Sequence, residues 1–361
     1  MTAMSSSHDL RIKAGKRAYA MIQDGGFSFD RITSFFGPAT GPRWLIASGF
    51  DMSLMKSGLL GRNWPVLLVG ASAGSWRFAA WMQPEAEKSY QSLMDAYITT
   101  TYSRKDTPET IKQSLEVIIN KAIENDALPF ALANRRYRLA IITARAKHLT
   151  AARRKWLQGI GFGLCFVMNA VHRSLLYRFT ENVVFYSGPN PPAFTLKPGF
   201  KGRHVPLSTV NFKAALVASG SIPLIVRGVD DIYGAPTGVY RDGGLTDYHL
   251  TRAYGSGEQD LTLLFLHQER IIPGWLDKRL TKRQPPPEAL ENVLMVYPSD
   301  NLIARLPNSK VPDREDFKTF MDDPGTRIQN WHKAAAQCSH LGEVFLEIAE
   351  SSKLREVVDR L

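Results

Sequence analysis

A chain of 361 residues with 44% hydrophobic and 22% charged side chains can bury one large α/β core or two modest ones, and this composition excludes disorder. Its two cysteines, Cys165 and Cys338, exclude a disulfide framework. No Cys/His spacing suggests zinc, so no metal or other cofactor is expected, and a reducing, cytoplasmic setting fits. The net charge of +11 favours anionic surfaces such as acidic lipid; without zinc-finger spacing or an RNP-like aromatic motif, no nucleic-acid partner is expected.

Arg11, Lys13, Lys16 and Arg17 lie near the start, but no apolar run resembling a signal-peptide core follows them. Residues 43–49 and 64–70 read as buried strands, and 75–82 as a helix. Helical spacing recurs over 84–100 and 107–124, where Thr107-Pro108 is a good N-terminal signal. Strands are expected at 138–143, 182–186, 260–267 and 292–297. The longest apolar stretch, 157–171, contains Gln158, Asn169 and three glycines and falls short of the ~20 residues that span a bilayer. Pro285-Pro286-Pro287 marks a loop between the last two of these strands, and 329–361 reads mostly as terminal helix. Strands separated by helices predict a largely parallel sheet covered on both faces. One domain over 1–361 is expected: a core over 43–267 with a helical insertion over 150–173, then an extension over 268–361 holding one strand and helices.

Gly70-Ala71-Ser72-Ala73-Gly74 follows the apolar run Trp64-Pro65-Val66-Leu67-Leu68-Val69. In a G-x-S-x-G elbow a strand turns abruptly into a helix, and glycines such as Gly70 and Gly74 give the backbone room to hold the serine hydroxyl clear of the sheet. Ser72 is therefore the candidate nucleophile; the alternative is a tight turn in which it merely caps the helix. Far downstream, Asp242-Gly243-Gly244 offers a carboxylate that Gly243 and Gly244 would let approach closely, although alone it is a common turn sequence. An exposed aspartate with a pKa near about 4 is a feeble base, so burial must raise it. The residue after the nucleophile, Ala73, is an expected oxyanion donor.

A further block, Ala218-Ser219-Gly220-Ser221-Ile222-Pro223, precedes Asp242. Together the three motifs, in this order, resemble the patatin-like phospholipase family over about residues 43–250. The resemblance implies a three-layer α/β/α sandwich with a mainly parallel central sheet. It implies a Ser72–Asp242 dyad acting through an acyl-enzyme on lipid esters, as a phospholipase A or lysophospholipase; the 218–223 block itself reads as a helix end and loop that supports the site, which gives Ser219 no catalytic role. It also implies a glycine-rich oxyanion loop near the N-terminus. The matching place is Ser48-Gly49-Phe50-Asp51-Met52-Ser53 with Gly58-Leu59-Leu60, which makes Gly49 and Phe50 the expected backbone donors. One of the usual glycines survives there, and the family's basic residue falls near Met52.

Competing readings are an α/β-hydrolase triad completed by His204, His249, His267, His332 or His340, and a lipid-binding scaffold without activity. Acyl transfer to an alcohol would use the same acyl-enzyme. Asp247 and His249 are expected at the surface or in support of the site. Two segments combine apolar residues with cations as interfacial segments do: 153–164, and 271–275 followed by Lys278, Arg279, Lys282 and Arg283. Peripheral contact with an anionic membrane would use them; a buried helix and a solvated loop are the plainer expectations.

Overall fold

The strands expected downstream of residue 60 all form. The computed structural model describes residues 9–255, 257–351 and 353–361. Its strands are β1 Leu10–Ala14, β2 Ile32–Gly37, β3 Val66–Ala71, β4 Tyr137–Ala146, β5 Thr180–Tyr186, β6 Gly202–Pro206, β7 Val229–Asp230, β8 Val239–Asp242, β9 Leu261–Phe265, β10 Val293–Pro298 and β11 Val358–Arg360. They build one sheet in the order β11-β1-β10-β9-β2-β3-β4-β5-β6, with β8 on β4 and β7 on β8. Pairing is mixed but mostly parallel: β9, β2, β3 and β4 run parallel through the centre, while β5 and β8 meet β4 antiparallel.

The longer helices are α1 Lys16–Gln23, α2 Ser48–Ser57, α3 Ala73–Trp81, α4 Ala86–Thr99, α5 Pro108–Ala122, α6 Lys155–Val171, α7 Phe212–Ser219, α8 Pro324–Gln337 and α9 Leu341–Glu350. The expected start of α5 is built as a capping box, with the Thr107 hydroxyl accepting from the Thr110 amide and the Thr110 hydroxyl from the Thr107 amide. Central strands are buried on both faces, so successive residues enter different cores. In β2, Phe35 joins the larger cluster, with Phe50, Phe78 and Trp81, and Phe36 joins the other, with Tyr248, Tyr254 and Leu264. Apolar packing on both sides of one sheet, with flanking helices, is consistent with a three-layer sandwich.

Two expectations are corrected. Residues 43–49 are not a strand: a 3₁₀ turn at Gly41–Ala47 runs directly into α2. The strand of that region lies earlier, at β2, which Pro38 ends by removing the next ladder donor. The core therefore does not begin at 43, since β2 sits between β9 and β3 in the middle of the sheet. The C-terminal region is likewise no appendage: β10 pairs with β9 and β1, and a second strand there, β11, pairs with β1.

Candidate active site

β3 delivers Ser72 at its C-terminal end and α3 leaves from the next residue. The turn is sharp enough to force Ser72 to φ 53°, ψ −131°, a conformation that costs a non-glycine residue about 1–3 kcal/mol and persists where surroundings impose it. The flanking glycines are those surroundings. A Cβ on Gly70 would lie 2.4 Å from the Ser75 nitrogen, and one on Gly74 would lie 1.9 Å from the Gly37 carbonyl oxygen. The Ser72 amide donates to the Ser219 hydroxyl at 2.8 Å, and that hydroxyl donates to the Ile142 carbonyl at 2.7 Å. Ser219, from α7, thus pins the elbow to β4.

Asp242 arrives by a different ladder. β8 pairs antiparallel with the far half of β4, so Asp242 stands opposite Thr143, one residue beyond Ile142, which is opposite Ala71. The two candidate residues meet: the Ser72 hydroxyl donates to the Asp242 carboxylate at 2.9 Å. The other carboxylate oxygen accepts the Gly244 amide at 2.7 Å. Gly243 is needed for this approach, since a Cβ there would lie 2.1 Å from the Ile142 carbonyl oxygen. Ser72 and Asp242 are 4% and 5% exposed. Burial pushes the Asp242 carboxyl above its usual value, and Arg314, the Gly244 amide, the Ser72 hydroxyl and Lys278 pull it part of the way back.

Ala73 is the first residue of α3, where amides have no acceptor in the preceding turn. Gly49 and Phe50 do not share that position and are corrected as oxyanion donors. Both lie inside the helical run of 41–57, whose amides are directed to the preceding turn. Gly49 packs on the Cys338 and Ser339 backbone, and the Phe50 ring packs on Phe265 and Phe345. The segment bordering the dyad is instead 37–43. Gly37 lies against Gly74, and Ala39 lies against Gly244, while the Ala39 amide donates to the Tyr248 carbonyl.

Around this segment stand three cations. The Arg314 guanidinium lies against Gly41, where a Cβ would come within 2.9 Å of Nε. The Lys278 ammonium sits 4.4 Å over the Tyr248 ring, and that ring borders Gly244. Arg43 reaches Asp313 at 3.7 Å. Burial, more than any other cause, pushes the Lys278 ammonium below its ordinary value, and Arg314 and Arg43 push it the same way.

None of the five candidate histidines hydrogen-bonds Ser72 or Asp242 among the described residues. His249 is buried, stacks on Tyr248 and accepts the Ile272 amide. It stands 5.4 Å from His267, and burial pushes both far below the ordinary histidine value, so both are neutral near pH 7. His340 binds Asp9, and His204 and His332 are exposed. Asp247, expected at the surface or in support of the site, is buried and engages Tyr254 and Arg252. Among the described residues no group of three or more His, Cys, Asp and Glu side chains could hold a metal ion.

The two basic segments differ. Ile271 and Ile272 belong to the second core, and Arg283 is taken up by the carbonyls of Asn169 and Ala170; the segment over 271–283 is therefore largely structural. In 153–164 the cations and several apolar side chains are exposed. Among the described residues no helix is long and apolar enough to cross a membrane. No protein-family model matches the chain, and no curated protein matches it significantly in sequence.

Proposed function

We propose that the chain is a serine acyl hydrolase that cleaves carboxylic esters of membrane lipids, in the manner of the patatin-like phospholipases its three motifs resemble. The observation that carries the reading is the 2.9 Å hydrogen bond from a strained elbow serine to a buried aspartate. Ser72 attacks the ester carbonyl as Asp242 takes its proton. The amide of Ala73 receives the negative charge that develops on the carbonyl oxygen, and the helix start behind Ser72 favours that charge. Asp242 then returns the proton to the departing alcohol, leaving an acyl group on Ser72. Water, activated by the same carboxylate, releases the acid. Burial suits Asp242 to this work because a carboxylate lifted above its usual value is a stronger base.

The test is a lipid-panel hydrolysis assay paired with a fluorophosphonate probe. Wild type should hydrolyse ester lipids and take the label, and Ser72→Ala should do neither. Asp242→Asn should lose about 10²–10⁴-fold in turnover while keeping the wild-type circular dichroism. Full activity in either folded variant refutes the dyad, and a variant at a single histidine that abolishes turnover would favour the triad.

A further inference from the structure

Helix α6 turns a bare apolar stripe to the outside. Trp156, Ile160, Leu164, Val167 and Val171 are 61%, 49%, 49%, 57% and 74% exposed. At 100° per residue these five positions fall within an arc of about 80° and run some ~22 Å along the axis. The space above Gly159 and Gly163 is open. Scattered exposed apolar residues need no explanation, but five on one face of one helix do.

The opposite face is fixed to the rest of the molecule. Gln158, Gly161, Phe162, Cys165 and Asn169 are buried. Gln158 accepts the Leu224 amide and Asn169 donates to Asp277. Phe162 packs with Ala144 and with Leu245, three residues past Asp242. The helix therefore sits over the loop that carries the base, with its polar anchors turned inward and its apolar stripe turned outward. That is the reverse of a helix built to face water.

Charge decides what covers the stripe. Residues 127–180 contain ten Lys and Arg and no Asp or Glu. Arg153, Arg154 and Lys155, at the start of α6, are exposed, and among the described residues Arg154 and Lys155 have no ion-pair partner. Acids from elsewhere in the chain pair Arg145, Arg153 and Arg173, which leaves Arg154 and Lys155 beside the stripe, and a second copy packed stripe to stripe would offer these two no carboxylate from residues 127–180. An anionic lipid surface meets both features, taking the apolar side chains at the headgroup–acyl boundary and neutralising the flanking cations. The 17-residue helix is suited to lie in that boundary, and among the described residues no helix is long and apolar enough to cross a membrane.

We propose that α6 is the docking helix by which the protein lies on anionic lipid membranes, with Trp156, Ile160, Leu164, Val167 and Val171 inserted and Arg154 and Lys155 on the headgroups. The proposal deepens the hydrolase reading, since it sets the base-bearing loop beside the lipid. Its readout is binding, so either reading can fail alone.

Full-length protein is floated with vesicles of phosphatidylcholine alone and with vesicles holding about one-third phosphatidylserine, beside hydrolysis of soluble p-nitrophenyl butyrate. Wild type should float with the anionic vesicles. The double variant Ile160→Glu/Leu164→Glu should lose about tenfold or more in lipid partitioning at unchanged melting temperature and unchanged rate on the soluble ester. A lipid-induced blue shift of tryptophan emission should be lost in Trp156→Phe. Wild type that fails to float, or a double variant that floats equally, overturns the proposal. So does a wild-type dimer in sedimentation that the double variant dissolves, because the stripe then belongs to a second copy. Flotation that depends on α6 without any soluble-ester turnover upholds docking and refutes the hydrolase instead.

Discussion

A single side chain, Asp242, shows how the surroundings of one carboxylate set its chemistry. Burial raises its pKa and Arg314 is the first group that lowers it again. A base must be unprotonated to act, so the acidic limb of kcat/KM should track this carboxyl. Arg314→Gln removes the cation, lifts the pKa further, and should move that limb to higher pH; an unmoved limb would mean that another group sets it. Ser72 and Asp242 were readable because G-x-S-x-G and D-G-G are short, local and demanding of their glycines. Arg314 was not, and Lys278 was read only as a cation of an interfacial segment, for both arrive more than thirty positions past the D-G-G motif and gain their place beside the dyad only by converging on Gly41 and Tyr248. Ser219 was seen within a motif, but its task of holding the Ser72 amide is a contact across the fold.

Among the elements, α3 and α2 are bound by a buried ion pair. Arg77 of α3 meets Asp51 of α2 at 3.0 Å, the Tyr90 hydroxyl donates to the same carboxylate at 2.6 Å, and the guanidinium lies over the Phe35 and Phe78 rings. Burial pushes the Asp51 carboxyl up to about 6 despite Arg77 and Tyr90. A folded-state value above the unfolded one means that this group favours the fold most below the ordinary carboxylate pKa and loses that contribution as pH rises through about 6. Arg77→Met strands the charge, so unfolding in denaturant at about pH 8 should show a loss of about 3–5 kcal/mol. The deficit should shrink at about pH 5 as Asp51 takes a proton. Equal deficits at both values would remove Asp51 as the cause. The misplaced oxyanion loop is an error at this scale. Ser48-Gly49-Phe50 was matched on a single glycine and is the start of a helix, whereas the bordering segment 37–43, with Gly37 and Gly41 broken up by Pro38 and Pro42, was passed over.

For the whole molecule, the mostly parallel centre was legible in the apolar runs that a strand buried on two faces must have, whereas the sheet order, with the unforeseen β2 between β9 and β3, was not. Of the strands that escaped notice, β1 alternates over five residues and the edge strand β11 has three, too few to carry a periodic signal. The charge of +11 acts at this scale too. Raising salt from about 0.1 M to about 1 M shortens the screening length from ~10 to ~3 Å, so partitioning onto anionic vesicles should fall toward the level the apolar stripe alone sustains. Partitioning indifferent to salt would assign it wholly to the stripe. The strand β4 has one further consequence. Its first six residues carry β3 and its last four carry β8, so Ile142 and Thr143 are consecutive graduations of a ruler that fixes how far nucleophile and base stand apart. One residue inserted between them would lengthen the ruler by about 3.3 Å and turn every later graduation over. Such a protein would keep every residue of its reactive pair and lose their meeting.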